Sequence, residues 1–409
     1  MKFKLRMVLV CTLWILFIVA SLGQFATFLV GSYKFYVLDF LLGLYILFGM
    51  IGIFITKEKS VKIPSFYIFF LLFLCIALVS LIFSLNRFSL VQGLVGFFYY
   101  LRVLMSFLVS IVTFIVISGD KSFGKAIIRM LLISSLILGL FGVLQLAWFP
   151  NLSALPAELG WDPHERRLVS TFFDPNFTGA YLMLGFILSM SLALYTKKPI
   201  KYLCICGFLF VCLFLTFSRS SWLFASVAVC VFGIVRSRKL LIVTVLIAFL
   251  AYYAVPRVQT RIMGITDPSD SASLRFVSWS RAWEISRDNL LLGVGYNNFR
   301  YAQEDYGFFN YKDETFGGHA GAGSDSSLLL VLATTGLPGL ILFLIAFVYL
   351  VIFNIIELLK KQSLIKLTLI TSILGLLLHS MFVNSLFYPQ ILLWMAVLTG
   401  LSFFEFDFD

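Results

Sequence analysis

Three side chains, far apart in the sequence, have the types and surroundings needed for chemistry on a charged substrate. Arg219 stands in TFSRSSWLF, and its helical neighbours three and four residues away are Leu215, Thr216, Trp222 and Leu223, so no carboxylate can neutralise it locally. Arg275 is placed similarly, because positions 271, 272, 278 and 279 are Ser, Ala, Ser and Trp. A guanidinium beside hydrocarbon is costly and by default functional, although its long stem can snorkel to lipid headgroups. Two such groups make a site for an anion, and phosphate suits the planar fork of arginine. Asp325, flanked by Ser324, Ser326 and Ser327, is placed either to accept a proton or to cap the apolar helix that follows. His319, in GGHAGAGSDS, is a second proton-transfer candidate or a solvated loop histidine. Arg281 and Arg287 each lie three residues from Glu284 and read as ordinary surface pairs.

Composition says what must position these groups. Of 409 residues, 61% are hydrophobic, 17% aromatic and 12% charged, and mean hydropathy is +1.00. Soluble domains carry roughly 25% charged residues, so lipid must be the solvent for most of this chain. Twelve apolar stretches can be cut from it, at approximately 7–30, 37–56, 64–85, 101–118, 127–148, 174–195, 202–217, 220–235, 240–256, 338–356, 366–384 and 388–404. Each is near the roughly 20 residues that cross a bilayer as helix. The expected fold is an all-α polytopic membrane protein with about twelve transmembrane helices. Soluble enzymes, nucleic-acid binders and secreted disulfide modules are excluded. The six cysteines fall inside predicted spans and read as packing, and three scattered histidines do not make a zinc site.

The net charge of +11 is unevenly spread. With the N-terminus in the cytoplasm, every inside segment holds three basic residues, from Lys2, Lys4 and Arg6 to Lys360, Lys361 and Lys366. This is the positive-inside pattern, and it puts both termini in the cytoplasm. It leaves the outside arginines, including Arg102, Arg166 and Arg167, unexplained. The run from Met7 to Val30 is too long for a signal peptide and reads as a retained span.

The chain then divides into spans one to nine (1–256), a long extracytoplasmic loop (257–325), and a short re-entrant helix with spans ten to twelve (326–409). Loops of that length are usually functional. Within it, 275–289 spaces Phe276, Trp279, Trp283 and Ser286 as an amphipathic helix at the membrane boundary. Ser326–Thr335 is too short to cross; Gly336 then suits a C-cap and Pro338 a first helical turn. Asp174-Pro175-Asn176 reads as the start of span six, and Asp39 as a counter-ion for an arginine.

The order of these pieces resembles the bacterial O-antigen ligase and polysaccharide polymerase family. The resemblance rests on TFFDPNFTGAYL at span six and FSRSSW before span eight. It rests further on R-x₃-W-x₂-A-W followed by GVGYNNF in the long loop, and on a polar pair eleven residues before a glycine that precedes span ten. It implies an integral glycosyltransferase on the outer face of the bacterial inner membrane, moving a glycan from a polyprenyl diphosphate to an acceptor hydroxyl without metal, cofactor or nucleotide sugar. By that resemblance Arg219 and Arg275 hold the diphosphate. At the last motif ligases carry a histidine followed by a small polar residue, whereas this chain has Asp325-Ser326, which leans the expectation towards a polymerase.

Asp325 or His319 would then take the acceptor's proton. Arg102, Arg166, Trp279 and Trp283 are candidate substrate contacts, although aromatic residues also form interfacial belts. The rival from another class is a twelve-span transporter or lipid-linked glycan flippase. Transporters place ionisable groups near the midplane, whereas these span interiors are almost free of charge.

Overall fold

The computed structural model describes residues 3–30, 33–56, 63–152, 164–236, 238–264, 271–308 and 323–406, and it is helical almost throughout. The first half holds α1 (Phe3–Leu22), α2 (Val37–Thr56), α3 (Phe66–Ser84), α4 (Leu90–Gly119), α5 (Ser122–Trp148) and α6 (Pro175–Tyr195). Then come α7 (Pro199–Leu215), α8 (Arg219–Val235), α9 (Arg238–Ala254), α10 (Pro256–Met263), α11 (Ser271–Asp288) and α12 (Phe299–Asp305). The chain finishes with α13 (Ser327–Lys360), α14 (Leu364–His379) and α15 (Pro389–Leu401).

Seven of these helices, α1 to α6 and α13, are long and apolar enough to cross a membrane. The pair α9–α10 adds an eighth if it is one broken span; it bends by 98° where Pro256 opens the second helix without an N–H to donate. The apolar helices α7, α8, α14 and α15 are shorter, at 17, 17, 16 and 13 residues. Apolar helices therefore occupy all twelve expected stretches, and seven or eight of them have crossing length. The molecule is a polytopic helical membrane protein.

Two boundaries depart from the sequence expectation. The first span ends at Leu22, because Gly23 takes φ +52 and turns the chain through a 3₁₀ turn (Gly23–Ala26). Strands β1 (Thr27–Val30) and β2 (Tyr33–Tyr36) follow as an antiparallel pair, with Thr27 opposite Tyr36 and Leu29 opposite Lys34. Apolar continuity disguised this hairpin as helix. The second departure is α4, which starts at Leu90 rather than near 101. Ser89 and Gln92 form a capping box, the Ser89 N–H donating to Gln92 Oε1 at 2.9 Å. Arg102 consequently lies inside a helix.

α6 is the interior element, with 83% of its most apolar window buried, whereas α9 buries no side chain. Hydrogen bonds then gather several connections at one end of the bundle. Leu168 N donates to Leu215 O at 2.9 Å, Thr171 Oγ1 to Ser21 O at 2.7 Å, and Ser327 N to Ser380 O at 2.8 Å.

The long segment after α9 is stitched to α13 by backbone. Val294 N donates to Ala333 O at 2.9 Å and Leu337 N to Leu290 O at 2.7 Å, and between these bonds Gly336 leaves the helix at φ 69, ψ −174. A Cβ on Gly336 would meet Leu291 O at 2.5 Å, and one on Gly293 would meet Thr334 C at 2.4 Å. Both glycines allow backbone to touch backbone. Gly336→Ala should therefore lower stability by roughly 1–3 kcal/mol or more. Gly207→Ala, in open space on α7, should be neutral or stabilising by about 0.5–1 kcal/mol. Thermal unfolding of the two variants in detergent checks the contrast.

Candidate active site

The connections gathered at that end enclose a cavity of about 600 Å³. Among the described residues, six basic side chains line it, Lys34, Arg102, Arg167, Arg261, Arg275 and Arg300, with two carboxylates, Asp174 and Asp325. They come from seven pieces of chain: the hairpin, α4, the segment before α6 (Arg167 and Asp174), α10, α11, the start of α12, and the stretch that enters α13.

Backbone carbonyls accept from several arginines at this end of the bundle. Arg167 donates through Nε to Thr216 O at 2.8 Å and through Nη2 to Phe217 O at 3.3 Å. Arg261 Nε donates to Phe217 O at 3.2 Å, and Arg219 Nη1 donates to Arg261 O at 3.2 Å. Arg257 donates to Arg166 O and Glu165 O at 2.7 and 2.6 Å and covers the Phe217 ring. Phe217 itself has φ 48, a left-handed conformation that aims its carbonyl at two guanidinium groups. Positive φ at non-glycine positions is confined, among the described residues, to Arg166, Ser170, Phe173, Phe217 and Asn297, all in segments at or next to the cavity. Strain concentrated in this way is characteristic of binding sites.

Carbonyls fix a guanidinium without cancelling its charge. Burial, then repulsion from Arg261, Arg257 and Arg275, pushes Arg167 down to about 9, with Asp174 pulling the other way. Asp174 is pushed up by burial, partly offset by the N–H groups of Phe177 and Asn176 and by Arg167 and Arg275. The site thus gathers positive charge at an electrostatic cost that a bound anion would relieve.

Asp325 is tied to α11, the helix that carries Arg275. Its backbone N–H donates to Ser278 Oγ at 3.0 Å, and Ser278 is three residues from Arg275 on the same face of α11. The capping role falls to its neighbour: Ser326 is the N-cap of α13, its hydroxyl accepting from Leu329 N at 3.3 Å. The Asp325 carboxylate is therefore not spent on the helix end, and it lines the cavity.

The other expected residues are distributed unevenly. Arg275, Asp325 and Arg102 line the cavity. Arg219 is not in its lining and braces α10 instead, one arginine removed from the wall. Arg102 is held by Asp39 in a two-pronged ion pair, Nε to Oδ1 at 2.8 Å, and sits over the rings of Tyr36 and Tyr99 at 5.3 and 5.0 Å. Arg166 is exposed outside the cavity. Trp279 packs edge-on against Phe276 and tilts against Phe382, and Trp283 is 57% exposed; neither lines the cavity. His319 lies outside the described residues.

Sequence reasoning missed Arg167, Arg261, Arg300, Lys34 and Asp174 as cavity residues. Arg261 satisfies the criterion that selected Arg219 and Arg275, since Arg257, Val258, Gly264 and Ile265 offer it no carboxylate. Arg300 fails that criterion because Glu304 lies four residues on.

The Arg102–Asp39 pair yields a test of scaffold against substrate roles. Asp39→Ala strands a guanidinium whose side chain is 12% exposed, and it should cost roughly 3–5 kcal/mol. The double variant Asp39→Ala, Arg102→Ala should recover part of that loss, measured by chemical or thermal unfolding in detergent.

The site's geometry has a counterpart in known proteins. No curated protein matches the chain. Residues 204–344, the segment that contains Arg219, Arg261, Arg275, Arg300 and Asp325, match the O-antigen ligase family model. Over that segment, about a third of its length, the chain is similar to the O-antigen ligase family.

Proposed function

We propose that the cavity transfers a glycan from a polyprenyl diphosphate to an acceptor hydroxyl on the outer face of the cytoplasmic membrane, and that the enzyme extends a polysaccharide on its lipid carrier. The observation that carries this reading is the juxtaposition of Asp325 with Arg275 in one cavity rich in guanidinium groups. The acceptor oxygen attacks the anomeric carbon of the donor, and the bond from that carbon to the diphosphate oxygen breaks with its electron pair leaving on the diphosphate. Arg275, Arg167 and Arg261 stabilise the charge that develops there. Asp325 takes the proton of the attacking hydroxyl, a role worth roughly 10²–10⁴-fold. Attack from the face opposite the leaving group inverts the anomeric centre. No nucleotide sugar is needed, because the diphosphate ester brings the energy.

In the cell the positive-inside charge pattern supports cytoplasmic termini and an outward-facing cavity. Arg219 acts at one remove, by holding α10 and with it Arg261. The family description favours a second reading, block transfer of a finished glycan to a new acceptor by a ligase.

Transfer by purified protein, supplied with lipid-linked glycan in proteoliposomes, should fall at least 100-fold in Arg275→Ala and in Arg167→Ala. It should fall about 10²–10⁴-fold in Asp325→Asn, in which Ser326 still caps α13. Arg219→Ala should lose less. Full activity in Arg275→Ala and Asp325→Asn together would remove the site. A ladder of lengthening lipid-linked product supports polymerisation, whereas a single block on a new acceptor supports ligation.

A further inference from the structure

A carboxylate is out of place in a site built for phosphate alone. Asp174 lines the same cavity as the arginines, close enough to Arg167 and Arg275 for their charges to act on it. One of its oxygens is occupied: Oδ1 accepts from Asn176 N at 2.6 Å and Phe177 N at 3.1 Å, capping α6. Among the described residues no donor is bonded to the other oxygen, Oδ2. A phosphate would be repelled there, so this part of the cavity is shaped for a ligand that presents hydroxyl donors.

The surroundings have the same character. The Phe177 and Tyr388 rings stack at 4.1 Å and 12°, both partly exposed and both in the cavity wall. Gln24 Nε2 donates to the Tyr36 hydroxyl at 3.2 Å, and these two residues also line the cavity. Gln24, Tyr36, Asp174, Phe177 and Tyr388 thus all belong to one cavity wall. The neighbouring Gly23 has φ +52, with a Cβ position 2.5 Å from Thr171 O, and this close approach pins the 3₁₀ turn that carries Gln24 against the segment before α6.

The geometry points to a sugar subsite formed by Asp174, Gln24, Tyr36 and the Phe177–Tyr388 pair, which binds the ring next to the diphosphate. A carboxylate oxygen accepts from ring hydroxyls in charge-assisted hydrogen bonds, the amide and phenol supply further polar partners, and the aromatic pair covers the apolar face of the ring. This assignment rests on the proposed glycan transfer. It places sugar recognition on the hairpin side of the cavity and away from Trp279 and Trp283.

Asp174→Asn separates the roles by sign, because asparagine caps a helix as well as aspartate does. Removing the negative charge should leave the affinity for sugar-free polyprenyl diphosphate unchanged or tighter. Affinity for lipid-linked glycan extracted from cells lacking this enzyme should fall at least 10-fold. Gln24→Leu should lose glycan-lipid affinity in the same way while binding the bare lipid normally. Dissociation constants for both lipids, measured on the full chain in detergent, supply the readout. The subsite is overturned if neither variant weakens glycan-lipid binding, or if the two lipids change alike. Arg275→Ala is the independent arm: it should weaken both lipids, and its failure to weaken either would sink the transfer reading, whatever difference between the lipids Asp174→Asn shows.

Discussion

The bonding of guanidinium groups to backbone carbonyls is the interaction on which this end of the molecule depends. Arg167, Arg219, Arg257 and Arg261 each donate to carbonyl oxygens of a neighbouring segment, and Phe217 O receives two of them. A carboxylate in the same places would have immobilised the side chains equally well and would also have cancelled their charge. Neutral dipoles immobilise without cancelling. Among the described residues the cavity lining holds more cations than carboxylates, in surroundings of low dielectric where charge acts at greater range than in water. Arg102 shows the alternative, since its pairing with Asp39 makes it part of the wall.

The same bonds assemble the site from distant parts of the chain. Residues 165–167 are tied to 216–217 and to Arg257, and Arg219 is tied to Arg261. Asp325 is brought in separately, through Ser278 and through the backbone contacts of Gly293 and Gly336 that hold the long segment against α13. Charge placement and backbone close approach thus cooperate: the first builds an anion-seeking wall, the second sets a carboxylate beside it. Asp174 gives the same wall a region of opposite charge.

Much of this arrangement was legible in the sequence, for identifiable reasons. Hydropathy located the apolar helices because lipid forces every span to be apolar around its circumference. Arg275 could be picked out because it has no opposite charge at helical spacing, and Asp325 because it stands among serines just before an apolar helical run. The break at Gly336 was announced by Gly and Pro two residues apart. Other parts were hidden. The hairpin after Gly23 is as apolar as the helix before it, so composition could not separate strand from span. Arg300 was masked by Glu304, and the tertiary fold brings Arg300 to the cavity despite that neighbour. Trp279 and Trp283 show the converse. Aromatic type suggested sugar stacking, but Trp279 is taken up by packing against Phe276 and Phe382 and Trp283 is exposed, so neither is in the cavity wall.

The bend at Pro256 has a mechanical consequence. α9 buries none of its side chains, and near its start Leu241 rests over Gly233 of α8. Beyond the elbow, α10 is fastened through Arg257 and Arg261. A thinner or thicker bilayer can then be met by tilting α9 about the elbow, and the anchored helix beyond it stays in register with the rest of the site. The elbow works as a suspension joint between the moving lipid and the fixed arginines.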